Sequence, residues 1–144
     1  MKPTIRRYMT LSPHTIGQEQ TLERAHEIMR AQKIRHLPVL QAGKLVGLLS
    51  QRDLHLIETL RDVDPKETTV AEAMTQDVYC VSPSASLLEV ASEMAEHKYG
   101  SAVIVDGPRV VGVFTTTDAL RALIDIETRA NRLGGNEPTQ ASAR

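Results

Sequence analysis

Several residue types that usually build cores or crosslinks are scarce in this sequence. It has no Trp, one Phe and three Tyr among 144 residues, so its core must be built mainly from aliphatic side chains. The single cysteine, Cys80, excludes an intrachain disulfide. Because Cys80 lies on a predicted strand, we expect it to be a small buried apolar residue rather than a nucleophile.

The sequence also lacks an excess of one charge and a long hydrophobic run. Its formal net charge is −1, so nucleic acid is not expected to be the main partner. No apolar stretch approaches the roughly 18 residues of a membrane span, and the first 20 residues lack the apolar region of a signal peptide. We therefore expect a cytoplasmic protein with no membrane partner. No His, Cys and Asp cluster has metal-ligand spacing, so no metal is expected.

What the sequence does contain is an internal repeat. Residues 4–55 align with residues 69–120 without a gap at an offset of 65 positions, with nine identities. The identical pairs are Thr4/Thr69, Met9/Met74, Thr10/Thr75, Leu22/Leu87, Met29/Met94, Lys33/Lys98, Val46/Val111, Gly47/Gly112 and Asp53/Asp118. Two copies are too few for a solenoid. We therefore predict two units that pack face to face and enclose clefts in which ligands bind.

Local signals predict the same order in each repeat: helix, strand, helix, strand, strand, helix. Hydroxyl residues at the predicted helix starts are typical N-caps, and Gly in the two tight turns is typical of hairpins. The predicted fold class is therefore α/β (α+β), with two repeats packed through their sheets. We assign residues 1–61 to repeat 1, 62–68 to a linker, 69–132 to repeat 2 and 133–144 to a disordered tail.

The second hairpin strand of each repeat ends in one motif: Gly, two apolar residues, a hydroxyl, two variable residues and Asp. Spacing of this kind predicts a capping box at a helix start, and two copies of one fold need the same cap twice. The same side chains, Ser50 with Asp53 and Thr115 with Asp118, could instead face a cleft. There each carboxylate would accept hydrogen bonds from the vicinal diol of a ribose. The spacing alone favours capping.

Two further groups of residues suit a nucleotide. Four aliphatic strand residues could sandwich a flat purine ring: Ile16, Val39, Val81 and Ile104. Basic residues before the first hairpin, Lys33, Arg35 and His36, could contact phosphates. The alternative for Arg35 and His36 is that they are surface residues ahead of a strand.

The ordered set of motifs resembles a tandem CBS domain pair, the Bateman module. The resemblance rests on the duplication, on Met-Thr after each first helix, on Ile34-Arg-His-Leu-Pro-Val39 and on the Gly-x-x-Ser/Thr-x-x-Asp ending, and it covers about residues 4–125. It implies two α/β units joined through their sheets, with two clefts that bind AMP, ADP, ATP, S-adenosylmethionine or NAD. It also implies a homodimer, and regulation rather than catalysis, with no cofactor.

The resemblance also implies roles for single residues. Ser50 and Asp53 would hold the ribose in one cleft, and Thr115 and Asp118 would do so in the other. The adenine would lie along the backbone near the four aliphatic residues. Phosphate contacts would come from just before the hairpin of the opposite repeat.

At that position repeat 1 has Arg35-His36, and repeat 2 has Gly100-Ser101. We therefore expect non-equivalent clefts, with the Asp53 cleft losing its basic partners unless Arg52 compensates.

The expected function is that of a regulatory sensor that binds an adenosine-type nucleotide and signals to a separate, unidentified effector protein. The alternative is a ligand-free dimerisation or interaction module with vestigial clefts, which the loss of Arg and His in repeat 2 favours. An enzyme is the least favoured class, because no convergent acid, base and nucleophile can be placed.

Overall fold

The computed structural model describes residues 2–11, 13–60 and 62–134. After a short 3-10 helix (Ile5–Arg7), the elements follow in this order: β1 (Thr10–Leu11), β2 (Ile16–Gly17), α1 (Leu22–Gln32), β3 (His36–Gln41), β4 (Lys44–Ser50), α2 (Gln51–Ile57), α3 (Val70–Ala73), β5 (Cys80–Val81), α4 (Leu87–His97), β6 (Ser101–Asp106), β7 (Arg109–Thr115) and α5 (Thr116–Gly134). This mixed arrangement of helices and two sheets confirms the predicted α/β fold class.

Each repeat supplies most of one sheet. The first sheet has the order β2-β3-β4, with β2 parallel to β3 and the β3–β4 hairpin antiparallel. The second has the order β1-β7-β6-β5, with β5 parallel to β6. Both hairpins turn through residues of positive φ, Ala42-Gly43 in the first and Gly107 in the second. Glycine at these turns adopts the left-handed backbone without steric cost.

Helices α1 and α4 begin and end in the same way, and their N-caps are the hydroxyl residues that the sequence predicts. The Arg24 amide donates to Thr21 Oγ1 (3.1 Å) and the Glu89 amide donates to Ser86 Oγ (3.3 Å). Each helix then stops at a lysine in the left-handed region, Lys33 or Lys98. The identical lysines of the two repeats therefore occupy the same special backbone position.

The chain crosses between the repeats at the start of each. Ile5 and Met9 lie in the core of the second sheet, and β1 extends that sheet by pairing with β7. In exchange, Val70 and Met74 pack on the core of the first sheet. Each packed unit therefore takes its first helix from the other repeat. The two units are intertwined rather than merely apposed.

Glycine in the recurring motif makes this crossing possible. A Cβ built on Gly112 would lie 2.9 Å from both the Thr10 carbonyl oxygen and Met9 Sδ. A Cβ on Gly47 would lie 3.0 Å from the Thr75 carbonyl oxygen. Each Met-Thr pair therefore packs directly on the motif glycine of the other repeat, where the two backbone segments cross in close contact.

Several local predictions need correction. The strand expected ahead of α4 is confined to Cys80–Val81, and Cys80 is exposed rather than buried. The first helix is a single 3-10 turn without a side-chain cap from Thr4. The last helix of repeat 1, α2, ends at Ile57, before the assigned end of that repeat at residue 61.

The predicted disordered tail begins too early at residue 133, because α5 continues to Gly134. The rest of that predicted tail lies outside the described residues. Among the helices of residues 2–11, 13–60 and 62–134, none combines the length and the apolar character needed to cross a bilayer.

Candidate functional site

The Ser50–Asp53 motif forms a capping box at the start of α2. The Asp53 amide donates to Ser50 Oγ (3.0 Å), and the Ser50 amide donates to Asp53 Oδ2 (2.9 Å). Thr75, which belongs to the other repeat, places its hydroxyl 3.5 Å from both carboxylate oxygens of Asp53. The crossing chain therefore reaches the motif.

The Thr115–Asp118 motif repeats this geometry in a more buried setting. Asp118 is only 3% exposed and accepts from the Thr115 amide (2.9 Å) and the Thr115 hydroxyl (3.2 Å). The Thr10 hydroxyl lies 3.4 Å from both oxygens of the carboxylate, and Arg121 Nη1 lies 3.6 Å from Oδ1. Both motifs thus cap helices, as their spacing predicts.

Both motifs also face a cleft, so capping and ligand binding do not exclude each other. The Asp118 cleft has a volume of about 620 Å³ and the Asp53 cleft about 530 Å³. Both values lie within the range of roughly 300–1,000 Å³ typical of small-molecule sites. Ser50 and Asp53 line one cleft, and Thr115 and Asp118 line the other.

The four aliphatic residues predicted to sandwich a purine do not line either cleft. Ile16, Val39 and Ile104 are at most 4% exposed and belong to the two cores, and Val81 packs against the second core. Val39 and Ile104 lie on the central strands β3 and β6, and Ile16 and Val81 lie on the edge strands β2 and β5 that pair with them. The structure therefore places these side chains in the cores and not on a cleft wall, and contact of the adenine with the backbone near them stays a prediction.

Residues of the crossing segments occupy the cleft walls instead. Pro13 and His14 line the Asp118 cleft, and their repeat counterparts Val78 and Tyr79 line the Asp53 cleft. Sequence reasoning missed these residues because it assigned them to the strand ahead of each main helix, whereas the structure confines those strands to Ile16–Gly17 and Cys80–Val81. Their matched spacing in the two repeats is the one signal that could have found them.

The basic residues are distributed over the two clefts in a different way from the one that the sequence predicts. Arg35 and His36 line both clefts, so the Asp53 cleft does not lose them. Arg52 lines the Asp53 cleft, as expected for a compensating residue, and Lys98 lies there too. Lys98 was missed although its identity with Lys33 marks it.

The Asp53 cleft also has an aromatic wall. Tyr79 and Tyr99 line it with their ring centroids 5.3 Å apart, and His97 stacks on Tyr99 at 5.1 Å. An aromatic pair at this distance has the separation of a favourable ring contact. These rings give the Asp53 cleft an apolar surface, which the aliphatic residues do not provide.

Two polar side chains of the Asp53 cleft, His36 and Ser101, have unusual surroundings. Burial lowers the pKa of His36, Arg35 lowers it further, and Asp53 partly opposes both effects. Ser101, the repeat counterpart of His36, lines the Asp53 cleft, and its Oγ is buried without a hydrogen-bond partner among the described residues. A buried hydroxyl without a partner is costly unless a ligand or water satisfies it.

The lowered pKa of His36 predicts a pH dependence of stability. Its folded pKa lies below the ordinary value of 6.5, so the unfolded chain binds a proton more readily. The contribution of neutral His36 to stability is therefore present above about pH 6.5 and is lost as the pH falls through the folded pKa. We expect His36→Gln to lose less stability than the wild type between pH 7.5 and 5.5 in urea unfolding. Equal losses in the two proteins would contradict the assignment.

Comparison with known proteins matches the whole length of the pair. The model of the CBS domain matches residues 5–56 and again residues 70–125. The CBS domain-containing protein YhcV of Bacillus subtilis is 28% identical over 134 residues, which cover 93% of this chain and 91% of YhcV. Hypoxic response protein 1 of Mycobacterium tuberculosis is 30% identical over 121 residues, or 83% of this chain and 85% of that protein.

Solved structures show the same architecture. The AcuB protein from Vibrio cholerae superposes with a TM-score of 0.79 at 34% identity, covering 96% of this chain and all of that one. The CBS domain pair of MJ0100, solved with 5-methylthioadenosine and S-adenosyl-L-methionine, gives a TM-score of 0.78 at 25% identity over 85% of this chain and 97% of that one. CBSX2, solved with AMP, gives 0.73 at 25% identity over 86% and 98%.

Proposed function

Because the chain belongs to the CBS domain family as a tandem pair, we propose that it is a regulatory module that binds an adenosine-type nucleotide. The observation that carries this proposal is the pairing, in each cleft, of an acid at a helix start with several cations. Two related pairs hold AMP or S-adenosyl-L-methionine and 5-methylthioadenosine, which supports the adenosyl class. AMP, ADP and ATP are the leading candidates, and S-adenosylmethionine and NAD are further ones.

In this proposal the carboxylates bind the ribose. A carboxylate offers about four acceptor positions, and the two capping bonds to the motif leave some of them free. The hydroxyls of Thr10 and Thr75 lie at 3.4 and 3.5 Å from Asp118 and Asp53, which is long for an O–H···O bond. A ribose diol would replace these weak contacts with shorter ones.

The phosphates would be bound by side chains rather than by the helix starts. The Thr116 amide at the start of α5 donates to the Gly100 carbonyl (3.2 Å), and the Gln51 amide of α2 donates to the Arg35 carbonyl (2.9 Å). Because the first amide of each helix is occupied, the phosphates would be bound by Arg35 and Lys33 in the Asp118 cleft. In the Asp53 cleft they would be bound by Arg35, Arg52 and Lys98. Arginine suits phosphate oxygens through its planar fork.

The output would be a change in shape or assembly that a separate effector senses in the cytoplasm. Both clefts include residues of both repeats, so a ligand contacts the intertwined units together. A ligand that binds one packing of the units more tightly than another shifts their equilibrium. Catalysis is not part of the proposal.

A thermal-shift panel of adenosine, AMP, ADP, ATP, S-adenosylmethionine and NAD tests the proposal. A ligand present at 100 times its Kd stabilises the folded protein by about 2.7 kcal/mol, which should raise the unfolding temperature by several degrees. No stabilisation by any of the six would favour the ligand-free interaction module. Product formation from any of them would point to an enzyme.

We also propose that the chain forms a homodimer. Leu88, Leu120 and Leu123 are 56–71% exposed, and an apolar groove of about 400 Å³ lies between α4 and α5 beside them. Contiguous exposed apolar surface of this kind usually marks an association site. Light scattering at micromolar concentration should give the mass of a dimer, and Leu123→Glu should shift it to a monomer. A monomeric wild type would contradict this proposal and leave the ligand proposal standing.

A further inference from the structure

The repeat symmetry places Arg35 and Gly100 in the same backbone position. The Arg35 carbonyl accepts from the first amide of α2, and the Gly100 carbonyl accepts from the first amide of α5. The two residues are 65 positions apart, which is the offset of the repeat. A symmetric pair would therefore present a side chain from each position, whereas this chain presents only that of Arg35.

At Gly100, where repeat 2 has no side chain, the two clefts share one wall. Arg35, His36 and Gly100 line both the Asp118 cleft and the Asp53 cleft. His36 Nε2 lies 3.2 Å from the place where a Cβ of residue 100 would be, so the imidazole fills space that a symmetric pair would give to that side chain. The wall between the clefts thus carries the side chains of one repeat only.

Of the groups on this wall, only Arg35 carries a charge at every physiological pH. Burial lowers the pKa of His36 below 6.5 although Asp53 opposes the effect, and Arg35 adds to it, so the imidazole is mainly neutral near pH 7. Each cleft has other cations, but these are not shared. Arg52 and Lys98 line only the Asp53 cleft. Lys33 and Arg121 line only the Asp118 cleft, where Arg121 already pairs with the carboxylate.

We infer that the two clefts compete for Arg35, so that a phosphorylated adenosyl ligand in one cleft weakens the binding of a second one in the other. This inference rests on the proposed function and extends it from binding to the coupling of the two sites. One guanidinium cannot direct its donors fully to two phosphates at once. The second phosphate also arrives at a wall whose charge the first has neutralised. An uncharged ligand such as adenosine makes no demand on Arg35 and is bound independently.

Calorimetric titration with AMP and with adenosine tests the coupling. Asp53→Asn and Asp118→Asn each disable one cleft and give the affinity of the other cleft alone. If the clefts are coupled, the wild type should bind two AMP molecules with a combined affinity about 5- to 150-fold weaker than the product of these single-cleft values, the usual range for coupled sites. Adenosine should show no such deficit.

Variants at positions 35 and 100 test the role of the shared guanidinium. Arg35→Ala should weaken the affinity for AMP in both single-cleft backgrounds and leave the affinity for adenosine unchanged. It should also make the combined AMP affinity equal to the product of the single-cleft values. Arg35→Gln serves the same purpose if the alanine variant unfolds early in a thermal melt. Gly100→Arg, combined with His36→Ser to make room, supplies the missing second arginine and should reduce the deficit. The backbone of residue 100 permits this change, since positive φ among the described glycines is confined to Gly43 and Gly107.

The possible outcomes separate the two claims. Two independent AMP sites in the wild type would overturn the inference while leaving the proposed function intact. A deficit that persists in Arg35→Ala would also overturn it, because the phosphates would then repel each other directly. Binding of neither AMP nor adenosine in any background would overturn the inference, and the proposed function would fall with it only if ADP, ATP, S-adenosylmethionine and NAD also failed to stabilise the protein.

Discussion

Replacing Asp118 by alanine is expected to abolish most of the affinity of its cleft for an adenosyl ligand, by about 1–3 kcal/mol, or roughly 5- to 150-fold. The carboxylate is 3% exposed, so a ribose diol bound to it would be shielded from water and would lose its partner without replacement. Asp53 is only half-buried, so Asp53→Ala should cost its own cleft less. Calorimetry with adenosine and AMP on both variants measures the two losses.

The capping role of Asp118 must be separated from its binding role. Asp118→Ala also removes the bond from the Thr115 amide (2.9 Å) at the start of α5, and the loss of a helix cap costs about 0.5–2 kcal/mol of stability. Thr21→Ala is a matched control, because it removes the cap of α1, a bond of 3.1 Å to the Arg24 amide, without touching either cleft. It should lower the free energy of unfolding and leave ligand affinity unchanged.

The contrast between the two acids decides the assignment. If Asp53→Ala and Asp118→Ala weaken binding equally, or if Asp53→Ala weakens it more, burial does not determine which cleft binds more tightly. If Thr21→Ala weakens binding as much as Asp118→Ala, the effect of Asp118 is transmitted through general stability and not through contact with the ribose.

Features governed by local chemistry could be predicted from the sequence. The N-caps of α1 and α4, the capping boxes at Ser50 and Thr115, and the hairpin turns depend on residues within a few positions of each other. A hydroxyl three residues before a backbone amide satisfies that amide wherever the helix lies in the fold. These predictions therefore did not require knowledge of the tertiary structure.

Features governed by distant contacts could not be predicted in this way. Thr10 reaches Asp118 across 108 positions and Tyr8 reaches Asp125 across 117, and neither pair leaves a periodic trace in the sequence. The same limit applies to the aliphatic strand residues, whose side chains the structure places in the two cores. Alternation shows that Val39 and Ile104 are apolar strand positions, but both faces of a strand can be buried, and only the tertiary structure shows which one faces the cleft.

The position of Arg35 on both clefts is likewise a feature that distant contacts determine. The sequence shows that repeat 2 lacks the arginine and histidine of repeat 1, which predicts a deficit in one cleft. It does not show that the side chains of repeat 1 occupy the space left at Gly100 and so line both clefts. From the sequence, the missing side chain at Gly100 predicts that one cleft loses its cations. The structure shows instead that Arg35 and His36 line both clefts.

The chain crossing suggests a second variant with a large expected effect, Gly112→Val. A Cβ at this position would lie 2.9 Å from the Thr10 carbonyl oxygen, so the β1 backbone itself must move. Overpacking of this kind costs about 1–3 kcal/mol of stability. Because β1 carries Thr10, whose hydroxyl faces Asp118, the displacement should also disturb the Asp118 cleft. We therefore expect a lower urea midpoint together with weaker AMP binding in the Asp53→Asn background, where only the Asp118 cleft is active.

Two controls make this prediction specific to the crossing. Gly47→Val places the same strain on the other crossing, where a Cβ would lie 3.0 Å from the Thr75 carbonyl oxygen, so it should impair the Asp53 cleft and spare the Asp118 cleft. Val90→Ala removes a buried side chain from α4 and should cost a similar 0.5–3 kcal/mol without changing the affinity of either cleft. If Gly112→Val and Gly47→Val impair both clefts equally, the crossings act only through overall stability. If each impairs the cleft that its own segment completes, the exchange of first helices between the repeats is what builds the two sites.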